Sequence, residues 1–303
     1  MDWIQRIENA IDYIEENITK KIDYEQVAKR AYCSSFHFQK VFSIMSGLTL
    51  GEYIRRRKLT LAGSDLLTKK MKVIDVAFKY GYETPESFSR AFFKFHGIMP
   101  SKVTKKSMLK KFSKLTKINI TKGETEMHYK IEEKSNLFLV GYKKRFTGVP
   151  YGEERLTQEQ AFLTTTRAKQ WLLLGASCDY TTDYIIITNV DDDGYDFYVA
   201  YELDEWTREN LFNQEITGVD FIDKIGFETI VIPNQTYAIF ETKKKKYPIL
   251  DYTEIRKKII TEWLPTSNYI FDDKPEVIAI HWRPKGEWEK ERYVEICMPI
   301  KNK

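Results

Sequence analysis

Val27-Ala28 … Ser34 … Phe38-Gln39-Lys40-Val41-Phe42 … Gly47 returns further along the chain as Val76-Ala77 … Phe88-Ser89-Arg90-Ala91-Phe92 … Gly97. Each copy predicts a short helix carrying a small alanine, a turn, and a second helix with a basic residue two positions before a phenylalanine. A glycine then supplies the left-handed exit that ends a helix. Two such helix-turn-helix units on one chain point to DNA binding.

The flanks agree with this. Ile7, Ala10, Ile11 and Ile14 recur at three- and four-residue steps, the apolar stripe of a first core helix over 3–16. Asp23 can cap a helix over 24–31, and Ser34 and Ser35 one over 36–45. A longer helix, 49–67, carries the cluster Arg55-Arg56-Arg57-Lys58 and joins the two units. The second unit runs over 73–79, turns at Gly81-Tyr82-Glu83, and restarts with Thr84 as cap and Pro85 at the first helical position. A frayed seventh helix from residue 101 leads into a Lys-rich linker, so the expected division is 1–107, 108–126 and 127–303.

Charge follows the same division. Residues 1–117 hold 23 Lys+Arg against 12 Asp+Glu, and the remainder 25 against 32. The basic part is the electrostatic footprint of a polyanion such as double-stranded DNA.

After residue 127 the pattern becomes strand-like. Residues 137–142, 184–190, 196–203, 227–232, 236–242, 277–282 and 293–298 are rich in Val, Ile, Tyr and Phe. Helices are expected over 158–174 and over 252–263, the latter stopping before Pro265. This part therefore repeats too, over about 127–206 and 225–301. The fold class expected is multidomain, α then α+β: an all-α double helix-turn-helix domain, then two strand-helix-strand-strand units in an antiparallel-rich sheet with a ligand groove between them.

The N-terminal pattern resembles the AraC/XylS family of bacterial transcription regulators over residues 4 to about 105. Gly81-Tyr82 stands where the family has Gly-Phe. Ser89-Arg90-Ala91-Phe92-Phe93-Lys94 follows its Ser-Arg-x-Phe-Lys signature with one altered position, and Pro100 stands at its proline. The resemblance implies RNA polymerase as a partner. Helical spacing puts Phe36, Gln39 and Lys40 on one recognition face and Glu86, Ser87 and Arg90 on the other, each opposite the core phenylalanines. Gln39 can pair with adenine, Lys40 or Arg90 with guanine, Glu86 with the cytosine amine, and Phe36 can pack on a thymine methyl. Lys79, Lys94 and Lys102 are candidate phosphate contacts.

The C-terminal part resembles the GyrI-like effector-binding domain over about 127–301. Phe197-Tyr198-Val199-Ala200-Tyr201, Ile259 to Pro265 and Val294-Glu295-Ile296-Cys297-Met298-Pro299-Ile300 carry that likeness. Strand parity places Tyr293, Glu295 and Cys297 on one face, with Tyr198 on that side, and Val294, Ile296 and Met298 on the other. Glu295 is then a carboxylate projecting into the groove, with Tyr198, Trp171, Trp263, His281 and Tyr293 as its aromatic companions. The effector implied is a small amphipathic molecule, and a lipophilic cation fits the charge and the ring faces. Glu295 with Tyr198 is also the pair a GyrI-like hydrolase of strained rings would use, and a protein-interaction module is a further alternative.

No catalytic arrangement stands out, and no cofactor is called for. Cys33, Cys178 and Cys297 and the four histidines, His37, His96, His128 and His281, lack disulfide or zinc spacing. No stretch reaches the roughly 18 apolar residues of a membrane span. A soluble protein of the reduced cytoplasm is the expectation.

Overall fold

A computed structural model describes residues 3–302 apart from 69–70, 116–128, 152–153, 178–180, 204, 211–214, 216–225 and 283–290, so His128 and Cys178 lie outside the described residues. The chain divides into two compact units, one N-terminal and one C-terminal, with the boundary at about residue 120.

The first unit is helical: α1 (Trp3–Glu16), α2 (Tyr24–Arg30), α3 (Ser35–Ser46), α4 (Leu50–Leu67), α5 (Val73–Lys79) and α6 (Pro85–His96). The expected caps are in place, with Asp23, Ser34 and Thr84 side chains accepting from the N–H groups of Glu25, His37 and Ser87, and Thr49 adds a further cap on Glu52. Gly47 and Gly97 end α3 and α6 at φ of 70° and 79°. Phe88 and Phe92 of α6 pack with Leu59, Ala62, Val76, Ala77 and Tyr80, so the second unit and α4 share one core.

The seventh helix is not there. Beyond a single 3-10 turn, Pro100–Lys102, the described chain is extended or turned, because Lys105, Lys106, Lys110 and Lys111 are all solvated and offer no apolar stripe to bury. Nor is 108–115 a tether. Leu109 packs into the core beside α4, the Phe112 N–H donates to Thr60 Oγ1 at 3.0 Å, and the Phe112 ring meets Tyr53 edge-on at 5.9 Å.

Among the described residues the second unit holds a nine-stranded antiparallel sheet. Its strands are β1 (Tyr129–Lys134), β2 (Leu137–Thr147), β3 (Thr182–Thr188), β4 (Gly194–Glu202), β5 (Glu228–Ile232), β6 (Gln235–Glu241), β7 (Tyr269–Phe271), β8 (Glu276–His281) and β9 (Tyr293–Asn302). The order is β1-β6-β9-β8-β3-β4-β2-β5, with β7 on the far end of β9. Exchanging β1 to β4 with β5, β6, β8 and β9 reverses this order and leaves it unchanged, so the two repeats are related by a pseudo-twofold axis between β3 and β8. Each half lends its first strand to the other: β1 pairs with β6 and β5 with β2.

Helices cover one face: α7 (Glu154–Thr165), α8 (Arg167–Ala176) and α10 (Ile249–Lys258), the last continuing through a π turn, Ile259–Trp263, into α11 (Leu264–Thr266); α9 (Glu205–Asn210) follows β4. Two helix expectations are corrected here. The helix expected over 158–174 starts earlier and breaks at Thr166, where Thr164, Thr165 and Thr166 turn their hydroxyls back onto the carbonyls of Gln160, Ala161 and Phe162 at 2.7, 3.0 and 2.6 Å. Such back-bonding competes with the ladder and bends helices. The helix expected to stop before Pro265 passes through it, since the widened π turn absorbs a residue with no N–H to give.

Candidate DNA interface and ligand cleft

On α3, His37, Phe38, Val41, Phe42, Ser43 and Ile44 are buried, and Phe36, Gln39 and Lys40 are half-exposed on the side away from Phe38 and Phe42. Gln39 donates to Ser35 Oγ at 3.1 Å, and the Lys40 ammonium lies 5.7 Å from the Phe36 ring centre. These contacts stack the three into one surface of amide, cation and ring. On α6, Phe88, Phe92 and His96 are buried, whereas Glu86, Arg90 and Lys94 stand exposed at four-residue steps along one line. Ser87 serves the helix cap instead, its N–H on Thr84 Oγ1 at 3.1 Å and its hydroxyl on the Thr84 carbonyl at 2.8 Å.

The phosphate candidates differ. Lys94 and Lys102 are exposed. Lys79 is paired with Asp65 at 2.7 Å, and the same carboxylate accepts the Tyr80 hydroxyl at 2.9 Å, so its charge is already balanced within the domain. Three of the four basic residues of α4 are also held in ion pairs. Arg55 and Arg56 share Glu52, and Arg57 is buried.

In the sheet domain, β-register places Glu295, Tyr293, Ala279, His281, Tyr184, Ala200 and Tyr198 on one face, opposite the helices. Glu295 lies 3.6 Å from His281 Nε2 and 3.8 Å from Lys134 Nζ, and the His281 and Tyr293 rings stack at 4.2 Å. The adjacent His281 ring and the Lys134 charge hold the Glu295 carboxyl below its ordinary pKa, against the upward push of burial. Tyr198 is on this face but three strands away, over β4, with Lys143 5.7 Å from its ring. Between them the face closes on its own core of Leu139, Ile186, Ala200, Tyr237, Ile239, Val277 and Cys297.

The other two aromatic candidates sit on the helix side. Trp263 is buried among Tyr129, Phe240 and Tyr269, with centroids 5.3, 5.1 and 6.1 Å away, and is part of the core. Trp171, 72 % exposed on α8, rims a hollow of about 300 Å³ with Asp183, Tyr201 and Trp282. That hollow shares Gln170, Asp183 and Trp282 with a larger cleft of about 650 Å³, floored by Ile185, Val199 and Ile280 at the pseudo-twofold axis and walled by Leu156, Glu159 and Leu163 of α7. The expected single groove around Glu295 is therefore corrected. Strand alternation that puts Val294 and Met298 under the helices necessarily turns Glu295, His281 and Tyr198 away from the cleft.

Sequence reading missed the buried polar wall behind that cleft. Arg155 pairs with Glu159 and donates to the Tyr252 hydroxyl at 2.9 Å. Arg256 pairs with Glu276 and lies over the Tyr151 and Tyr252 rings, 4.2 and 4.9 Å from their centres. Burial pushes the Glu159 carboxyl up, against the pull of Arg155. Of the cysteines, Cys33 and Cys297 are described, and burial pushes both thiols up to about 12. Among the described residues no cluster could hold a metal, and no helix is long and apolar enough to cross a membrane.

Paired helix-turn-helix units followed by a two-repeat sheet define a DNA-binding regulator with a second, ligand-type domain. Residues 27–106 match the model of a helix-turn-helix domain, and residues 181–301 that of a GyrI-like small molecule binding domain. The transcriptional activator AarP of Providencia stuartii is 37% identical over 95 residues, 31% of this chain and 70% of that protein. The regulatory protein SoxS of Salmonella typhimurium is 37% identical over 92 residues, 30% of this chain and 86% of that protein. A solved structure of a putative bacterial transcription regulation protein from Staphylococcus aureus is 15% identical, covering 58% of this chain and 100% of that one, with a TM-score of 0.40. The chain belongs to the AraC/XylS family of DNA-binding transcription regulators and carries a GyrI-like domain after its DNA-binding one.

Proposed function

We propose that this protein is a cytoplasmic activator that binds one asymmetric double-stranded DNA site through α3 and α6, engages RNA polymerase there, and is switched by a small amphipathic ligand. The observation that carries the DNA reading is the unlike chemistry of its two exposed helix faces: Phe36, Gln39 and Lys40 on one, Glu86 and Arg90 on the other. Two unlike heads joined by α4 would read two successive major-groove faces about 34 Å apart. Arg90→Ala should lose roughly 1 to 3 kcal/mol on the preferred site and relax one base position. Lys94→Ala should weaken all sequences alike and flatten the salt dependence. Equal, sequence-independent losses for both variants would remove Arg90 from base reading.

For the ligand, the helix-side cleft is the better-supported place. Its volume suits a small molecule, and it joins an apolar floor to Trp171, Trp282 and the Asp183 carboxylate, with Arg167 and Arg292 also in its lining. A flat organic cation meets charge and ring faces there. The second reading keeps the ligand at Glu295, because an ionised carboxylate beside the stacked His281 and Tyr293 rings is itself a cation site; the ligand would have to displace Lys134. Titrating an organic dye cation separates the two. Asp183→Asn should weaken binding and Glu295→Gln leave it unchanged; the reverse pattern would move the ligand to the Glu295 face.

A further inference from the structure

The two helix-turn-helix turns open alike, with the same backbone closure, but differ at the left-handed residue. In the second, Gly81 takes the left-handed conformation at φ 79°, and the Tyr82 N–H closes back on the Ala77 carbonyl at 3.0 Å. In the first, the Cys33 N–H closes on the Ala28 carbonyl at 3.2 Å, and the left-handed position is Tyr32, φ 56°. Glycine holds that conformation without cost, whereas a Cβ strains it.

Packing does not repay the strain, because the Tyr32 ring is 73 % exposed. Its contact is a cation: the Arg6 guanidinium carbon lies 5.4 Å from the ring centre. Arg6 Nε is buried and has no hydrogen-bond partner among the described residues. Two more cations, Lys29 and Arg30, stand exposed in the last turn of α2 just before Tyr32. An exposed phenol is thus held in a strained turn amid positive charge, immediately before α3. A recognition helix presents its N-terminal end to the major groove, so the residue preceding it stands at the groove's rim, where the phosphates run. Tyrosine hydroxyls and arginine guanidinium groups both donate to phosphate oxygens.

We propose that Tyr32 and Arg6 form a phosphate-binding pair that anchors the first unit on the backbone of double-stranded DNA. Gly81 gives the second unit no counterpart. The inference rests on α3 being a DNA-reading helix. The pair supplies grip and register and reads no base.

The test uses the full chain with Tyr32→Gly, Tyr32→Phe and Arg6→Gln, measuring affinity for a duplex the protein selects and for an unrelated duplex across a salt series, together with Tm. Tyr32→Gly should raise Tm, since glycine suits the turn, yet weaken both duplexes several-fold and alike. Tyr32→Phe should weaken both similarly without the gain in Tm, and Arg6→Gln should lower the salt slope by about one. A more stable Tyr32→Gly protein with unchanged affinity would overturn the pair, as would an unchanged salt slope in Arg6→Gln. Gln39→Ala tests the underlying reading separately: if selectivity survives it, α3 is not reading bases, whatever Tyr32 does.

Discussion

Arg57 is one of four adjacent cations, and consecutive residues on a helix point about 100° apart, so one of the four had to face inward. It does so by binding Glu15 on α1 through Nε and Nη2 at 2.8 and 2.7 Å, and the Phe112 carbonyl through Nη1 at 2.5 Å. The Tyr53 hydroxyl donates to the same carboxylate at 2.7 Å. Burial alone would raise the Glu15 carboxyl, but the Arg57 and Tyr53 hydrogen bonds with the Arg57 and Lys114 charges hold it below its ordinary value of 4.5. His96, buried with Nε2 3.0 Å from the Leu59 carbonyl, is lowered from 6.5 by desolvation. Both folded-state values are depressed. Their contributions are therefore fully present above 6.5 and 4.5 and are lost as pH falls through the lowered values. Amide exchange in α1 and α4, corrected for its intrinsic rate, should speed up from pH 7 to pH 4. Flat protection over that range would contradict the assignment. A run of basic residues shows that one is inside; it does not show which carboxylate waits for it.

At the scale of elements, signals held in the spacing of the chain itself were legible. Asp23, Thr84, Pro85, Gly47 and Gly97 each act through their own local backbone, and α2, α3, α5 and α6 begin and end close to where those residues put them. Elements that depend on distant partners were not. β1, Tyr-Lys-Ile-Glu-Glu-Lys, looks polar because it is an edge strand whose partner, β6, lies in the other repeat. In the sequence Arg155, Glu159 and Arg256 resemble ordinary helix charges, yet Arg155 with Glu159 and Arg256 with Glu276 of β8 join α7, α10 and the sheet around Tyr252. Removing one partner of a buried pair leaves an uncompensated charge and typically costs 3–5 kcal/mol, while replacing both is often neutral. Arg256→Met should thus destabilise the sheet domain by roughly 3 kcal/mol, and Arg256→Met with Glu276→Leu should recover most of it, read by urea unfolding. Equal losses in the single and double variants would show that the pair's charge is not what matters.

At the scale of the molecule, both halves of the chain are duplications, and they use duplication differently. The sheet repeats exchange their first strands, and a cleft beside their symmetry axis is lined mainly by the first repeat, with Ile280 and Trp282 from the second. The helical repeats keep separate recognition faces and have diverged at Phe36 against Glu86, Lys40 against Arg90, and Tyr32 against Gly81. The doubled pattern and the change of period near residue 127 carried the fold class; which face of the sheet holds the cleft followed only from register. The central claim is that two unlike heads on one chain read an asymmetric site. Sequencing the fragments that the purified protein retains from random duplex DNA tests it most directly. The account predicts one non-palindromic motif with two conserved blocks about one helical turn apart; a palindrome, or a single conserved block, would contradict it.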